Sequence, residues 1–430
     1  MNNRDQIALL SLPVISVSAE IVKSFFEFSK VMAIRNNLCM AIVLFLVFRH
    51  FQDVVRFNTT LLLLAVYLLI CLIGQGAGYE AYQSWVMAFE SKLMLPLSFI
   101  LLNKESDVKR MTQTILTTGV LFTIFIALFL ILGIGENQYG GTDGFTAGAF
   151  KFSRIYTGSF FLISLPMIMF WNRKKAFRNF LPVIGLVTAL ILILSTRRTA
   201  VVLVLSGGVL FLFWFMDKLP KVILWSSVAV LLLTALFPLY NGILMKQLEK
   251  RQHVFVEQNG FDLESETRYD ETLAAWTERF KSNELSTAFF GNHLFNSQGN
   301  YNEGIHKDRP LHLDLNIILH GSGITGLVLF ILFYSELILT YFKNRVTPTS
   351  VKEKLTEATF VSVLTCMLML IFSGGLTAVT HNMMASLIAG ACLKQITISR
   401  SAGSIHHYRP TEKDFLFRSE KNISKVWLYR

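Results

Sequence analysis

Apolar residues in this chain come in blocks of about 15 to 25, set apart by short charged connectors. Blocks of that length match the 20 or so residues that a helix needs to cross a hydrocarbon core. The pattern predicts spans near 7–22, 32–48, 58–74, 85–102, 112–134, 155–171, 179–195, 199–216, 220–239, 313–342, 356–375 and 379–397. The first is the weakest of these, being short and carrying Glu20. The expected fold is therefore an all-α polytopic membrane protein of about twelve transmembrane helices. The connector from 240 to 312 breaks the rhythm, with about 70 residues in which acidic groups outnumber basic ones. Within it Leu263 to Asn283 reads as a helix, with Leu273, Trp276 and Phe280 spaced three and four apart on one apolar face. A loop of this length with helical content is usually functional.

The chain divides accordingly into N-terminal helices (1–134), central helices (135–239), the large loop (240–312), C-terminal helices (313–397) and a basic tail (398–430). Composition agrees with the class, since hydrophobic residues are 53% of 430, charged residues 16%, and Phe alone accounts for 37. No small-x-small cleavage site follows the first span, which is expected to act as its own targeting signal.

Charge sets the orientation. Lys104, Lys109 and Arg110 share one connector; Arg173, Lys174, Lys175 and Arg178 share another; Lys218 and Lys221, then Lys343, Arg345, Lys352 and Lys354, continue the alternation. By the positive-inside rule these connectors face the cytoplasm, and an even number of spans puts both termini there. The net charge of +11 is thus accounted for by topology and attraction to anionic lipid headgroups, with no nucleic acid implied. Connectors 75–84, 135–154, 196–198 and 240–312 fall outside. The cysteines Cys39, Cys71, Cys366 and Cys392 lie in apolar runs without CxxC spacing, which points to neither a disulfide framework nor a zinc site.

Departures from the charge rule mark the candidate chemistry. Arg197 and Arg198 occupy STRRTA, a short hairpin on the face where cations are disfavoured, and Arg154 stands at the outer end of its span near Lys151. Ionisable residues in such places are functional candidates, although long cationic side chains also snorkel over apolar surface. Arg268 opens the loop helix. His312 lies where the polar loop returns to the membrane, and its ring is of the kind that exchanges protons near neutral pH. Eleven residues on, Gly323 and Gly326 form a GxxG inside a span, where small residues let another segment approach. Asn316, one turn beyond His312, is placed to contact the ring; Asp314, on the other side of a helix, is not expected to orient the ring. The acidic run Asp262, Glu264 and Glu266 offers an alternative, a divalent cation on carboxylates, against the plainer reading of acidic groups ahead of a helix N-terminus. His253, His293 and His306 lack metal-ligand spacing, and His320, His381, His406 and His407 read as packing or surface residues.

These features in this order resemble the O-antigen ligase and Wzy-type O-antigen polymerase superfamily of bacterial inner-membrane glycosyltransferases. The matching parts are RTA from Arg198, the loop arginine Arg268, FFG at Phe289 to Gly291, and His312 with GxxG at Gly323 and Gly326; together they cover roughly residues 135 to 340. Leu313 stands where the family usually has a polar neighbour of the histidine, and the tryptophan that follows the loop arginine is displaced to Trp276. The resemblance implies a GT-C-like fold with its active site on the extracytoplasmic face. It implies inverting, metal-independent transfer, without a cofactor, of a saccharide from undecaprenyl pyrophosphate to an acceptor, either another saccharide or the lipid A core. Arg198, Arg268, Arg197 and Arg154 would bind the pyrophosphate, and His312 would be the catalytic base. Asn316 and Asp314 would serve the acceptor side, Gly323 and Gly326 helix packing, and a chain-length regulator would be a possible partner. The segment Tyr139 to Phe145, YGGTDGF, is more like polymerases than ligases. Two other classes suit a polytopic chain: a transporter or flippase for lipid-linked oligosaccharide, and a structural subunit of polysaccharide export. Against transport stand the lack of internal duplication and the crowding of suspicious charges at the outer face.

Overall fold

The computed structural model describes residues 3–26, 30–135, 145–150, 155–172, 175–215, 237–259, 267–281, 285–301 and 311–407, with isolated positions between 216 and 236. The described residues are overwhelmingly helical and contain no strand. In chain order the helices are α1 (Asn3–Phe26), α2 (Lys30–Arg49), α3 (Phe51–Phe57), α4 (Thr59–Gly74), α5 (Tyr79–Lys92), α6 (Met94–Leu101), α7 (Glu105–Leu132) and α8 (Tyr156–Trp171). They continue with α9 (Lys175–Leu194), α10 (Arg198–Phe213), α11 (Phe237–Asn259), α12 (Thr267–Lys281), α13 (Leu285–Phe290), α14 (Asp314–Asn344), α15 (Val351–Ile371) and α16 (Val379–His407).

Six segments are long and apolar enough to cross a membrane: α1, α2, α5 with α6, α7, α14 and α15. The α3–α4 pair, bent by 105°, would make a seventh. The class is that of a helical membrane protein. The apolar stretches within α8, α9 and α10 are shorter, and the expected span at 220–239 lies mostly outside the described residues, as does the tail after 407. α1 turns the weakest expected span into a 24-residue helix. Its Glu20 is fully buried and accepts from Thr380 Oγ1 at 3.0 Å, while Ser16 Oγ and Thr380 Oγ1 lie 2.7 Å apart. A carboxylate inside a span is tolerable when it finds such partners.

Apolar stripes decide which helix faces meet lipid. On α4, Leu63, Val66, Ile70 and Ile73 are exposed, while Leu61, Leu64, Leu68 and Leu72 are buried. Polar pairs pin the interior. Arg35 of α2 and Glu90 of α5 form a 3.1 Å ion pair with both side chains buried, and Lys92 and Asp314 are buried as well. Arg35, Glu90 and Lys92 are thus charges inside helical segments, whereas Asp314 opens α14 two residues after His312.

Candidate functional site

The site is assembled where α12 of the large loop lies across the start of α14. Ala275, Tyr301 and Leu311 form a small buried cluster with Ala274 and Ile317 against it. Leu311 N–H donates to Ser297 Oγ at 2.9 Å, which fixes the chain just before His312. The inward face of α12 differs from the expected one. Glu271, Ala275 and Arg279, at four-residue steps, are its buried positions, whereas Leu273 and Phe280 are 54% and 61% exposed and Trp276 is half-buried. Ala275 lets α12 approach α14 closely, and the polar ends of Glu271 and Arg279 find partners there, so local apolar spacing loses to tertiary contact.

His312 Nδ1 lies 3.2 Å from Glu271 Oε1, with the imidazole 39% exposed and the carboxylate wholly buried. A buried carboxylate is costly unless paired, so this contact fixes the ring. Arg268 stands three residues before Glu271, one turn earlier on α12; its side chain lies outside the described residues. Asn316 does not meet the ring. Its Oδ1 accepts from Trp276 Nε1 at 3.2 Å and its Nδ2 donates to Thr272 Oγ1 at 2.9 Å, tying α14 to α12. Asp314 is buried on another side and accepts from Leu376 N–H at 3.0 Å. It holds the 372–378 turn, where Gly374 at φ +76° packs so closely that a Cβ would collide with the His312 carbonyl oxygen. The backbone and ring of His312 are thus held from two directions.

The GxxG is a break rather than a smooth packing stripe. Gly323 has φ 66° and ψ −167°, non-helical values that interrupt α14. Three successive carbonyls at the break find donors outside the helix: His320 from Asn292 N–H at 2.9 Å, Gly321 from Gln75 Nε2 at 2.9 Å, Ser322 from Tyr67 Oη at 2.9 Å. Tyr67 also donates to Phe289 O at 3.0 Å, and Gln75 Oε1 accepts from Leu294 N–H at 2.9 Å. The segment that approaches Gly323 is the α13 backbone, where a Cβ would strike the carbonyls of Ala288 and Phe289. Gly326 instead faces Ser322 and the Tyr67 ring. The FFG and GxxG stretches are thereby one structural unit, clamped by α4. Above the break the Arg279 guanidinium donates to Thr287 O at 3.3 Å and lies 3.1 Å from His320 Nδ1. Burial pushes this guanidinium below its usual range, an effect that the adjacent Glu278 carboxylate opposes.

Hydrogen bonds set the depth of the arginine hairpin. Ser362 Oγ donates to Gly207 O at 2.9 Å and Cys366 Sγ to Leu203 O at 3.4 Å, so α10 descends as α15 rises. One more turn brings Ala200 to Arg198 level with the end of α15, whose following turn touches His312. Ser159 Oγ donates to Ala200 O at 3.0 Å, and the Tyr156 and Phe160 rings lie 5.4 and 6.0 Å from that of His381. The starts of α8, α10 and α16 therefore share one end of the bundle with His312. Arg198 is exposed there and Arg197 half-buried; Arg154, just ahead of α8, lies outside the described residues, as do Lys151, Tyr139, Asp262, Glu264, Glu266 and His306. Among the described residues no three His, Cys, Asp or Glu side chains gather in a way that would hold a metal ion.

Sequence reasoning missed Glu271, Arg279, Gln75, Tyr67 and Gly374. The signal for the first two was Ala275 midway between them, a small residue centred on a polar stripe; Gln75 and Tyr67 carried none. The chain matches no family model and no curated protein.

Proposed function

We propose that this protein is an inverting membrane glycosyltransferase that uses an undecaprenyl-pyrophosphate-linked saccharide on the extracytoplasmic face of the bacterial inner membrane. The observation that carries the reading is the Glu271–His312 contact at the mouth of α14, a half-exposed imidazole oriented through Nδ1 by a buried carboxylate. In that arrangement Nδ1 holds the proton shared with Glu271, and Nε2 takes the proton from an acceptor hydroxyl as its oxygen attacks the anomeric carbon. The bond from that carbon to the pyrophosphate oxygen breaks and leaves its electron pair on the pyrophosphate. Guanidinium forks match phosphate oxygens and remain charged at working pH, so Arg198 and Arg268, with Arg197 and Arg154 in support, bind the donor and stabilise the leaving group. Guanidinium charge then plays the part that a divalent cation plays elsewhere. The product is a longer lipid-linked polymer or a polymer joined to lipid A core, and YGGTDGF favours the polymerase.

Purified protein supplied with undecaprenyl-pyrophosphate saccharide and an acceptor, without any ion gradient, should release undecaprenyl pyrophosphate and extend the acceptor. No release under those conditions, with gradient-dependent movement of the same lipid in vesicles, would establish the transporter instead. That second reading draws support from two observations: buried Arg35, Glu90 and Lys92 within the helices, and the break at Gly323. The break weighs less than its position suggests, because side chains and backbone of the protein take up the three carbonyls at it.

A further inference from the structure

At the end of the bundle away from His312, α7, the last turn of α8 and the first turn of α15 enclose a cavity of about 870 Å³. α15 separates the two ends by its whole length, with Lys352 in its first turn and Gly374 three residues past its end. The lining changes character along α7. Glu105, Lys109 and Gln113 follow one another at the mouth; Leu116, Val120 and Leu121, with a single hydroxyl from Thr117, line the deeper part, and Phe170 and Trp171 complete the wall. At 1.5 Å per residue, Glu105 to Leu121 covers about 24 Å, close to the roughly 20–22 Å of one leaflet with its headgroups. Polar lining at the membrane surface and apolar lining beneath it reproduce the profile of a single lipid.

The charge at the mouth is specific. The Lys352 ammonium sits 5.4 Å from the centre of the Trp171 ring and also contacts the Glu105 carboxylate, which keeps it at the opening. Lys109 is exposed one turn beyond Glu105. The Lys352 ammonium is shared between the Glu105 and Glu353 carboxylates, so the free positive charge at the mouth is that of exposed Lys109, and in the sequence Arg173 and Lys174 follow directly after Asn172, the last lining residue of α8. A free phosphate would use the lysines and leave the apolar wall idle; a zwitterionic lipid would bring its own cation to a cationic mouth.

We propose that this cavity is a binding site for an anionic phospholipid, its phosphate held by Lys109 and Lys352 and one acyl chain laid along Leu116, Val120 and Leu121. Basic pockets between membrane helices favour such headgroups, at about fivefold in affinity per lysine. The full chain in lipid nanodiscs provides the test, with Trp171 as the reporter, since it lines the site. Brominated phosphatidylglycerol at low mole fraction should quench the fluorescence that Trp171→Phe removes, and brominated phosphatidylcholine should quench it far less. Lys109→Gln, a change at an exposed position, should lower this selectivity about fivefold, and Lys109→Gln with Lys352→Gln about 25-fold. Equal quenching by both lipids, or unchanged selectivity in Lys109→Gln, overturns the proposal. Loss of quenching on adding millimolar inorganic phosphate would assign the lysines to a soluble phosphate and overturn it too.

Discussion

Glu271 and His312 stand 41 residues apart in the chain and meet at 3.2 Å, joining a helix of the large loop to the mouth of a membrane span. The carboxylate is buried and the imidazole half exposed, so the pair has an anchored side and an open side. This is the arrangement that lets one ring nitrogen be fixed while the other exchanges a proton.

The proposed base role of His312 separates turnover from donor binding. His312→Ala should lower turnover by about 10²- to 10⁴-fold, the usual contribution of a well-placed general base, with donor affinity within about threefold of wild type. Glu271→Gln should lower kcat at least about 10-fold with KM little changed, because an amide supports the wrong tautomer while filling the same space. Turnover and lipid-linked donor binding, measured separately, check both. Retained transfer in His312→Ala would remove the base assignment, and lost donor binding at normal membrane levels would make His312 a pyrophosphate contact.

The glycines should rank by geometry. Gly323 and Gly374, at φ 66° and φ 76°, have backbone atoms where a Cβ would stand, whereas the atoms nearest a Cβ on Gly326 belong to the Ser322 and Tyr67 side chains. Alanine in the left-handed region costs about 1–2 kcal/mol before any clash. Thermal unfolding of the purified protein should therefore fall clearly for Gly323→Ala and Gly374→Ala and less for Gly326→Ala. Equal effects of all three would mean that the break at Gly323 is not what the motif provides.

Much of this was legible in the sequence, for reasons that the structure makes concrete. Apolar blocks announced the helical membrane class, because crossing a bilayer demands length and composition, but of about twelve expected spans six helices, or seven with the bent pair, are long and apolar enough among the described residues. His312 and Gly323 stood out at the return of the polar loop to an apolar block and Phe289–Gly291 only through the resemblance; the structure brings Gly323 and Phe289 into contact. The face of α12 was misread because Leu273 and Phe280 satisfy a helical apolar spacing that its packing against α14 does not use; Glu271 and Arg279 face inward since partners 41 residues away receive them. Gln75 and Tyr67 were invisible for the same reason, since their role is to bond carbonyls that exist only once α14 breaks.

The buried pair between α2 and α5 makes a stability prediction. Removing one member of a fully buried ion pair leaves an uncompensated charge at a cost of about 3–5 kcal/mol. Glu90→Ala should therefore lose most of its folded yield, and Arg35→Met with Glu90→Leu should recover it. Detergent-extracted monomer yield reads this directly, and a double variant as poor as the single one would give the pair a role beyond packing.

Orientation follows from the alternation of Lys and Arg. A reporter fused after residue 270 should be extracytoplasmic and one after residue 405 cytoplasmic. A cytoplasmic signal at 270 would place the Glu271–His312 pair on the side where a lipid-linked saccharide is assembled rather than polymerised, and would remove the proposed reaction with it.

The arginines carry the donor side of the proposal. Arg198 is exposed at the first turn of α10, at the same end of the bundle as His312, and Arg268 precedes Glu271 by one helical turn. Arg198→Ala and Arg268→Ala should each cut transfer by at least about 10²-fold, in the range of losing a charge-stabilising donor, at normal membrane levels. Lysine should rescue poorly, since it keeps the charge and loses the bidentate fork. Arg197 is the supporting neighbour: it is half-buried and adjacent, with the same charge, and should lose less transfer than Arg198 when replaced. Transfer assays on the alanine and lysine series at all three positions decide the register. A dead Arg197→Ala beside a fully active Arg198→Ala would move the donor contact to Arg197 and turn the exposed Arg198 into a surface charge.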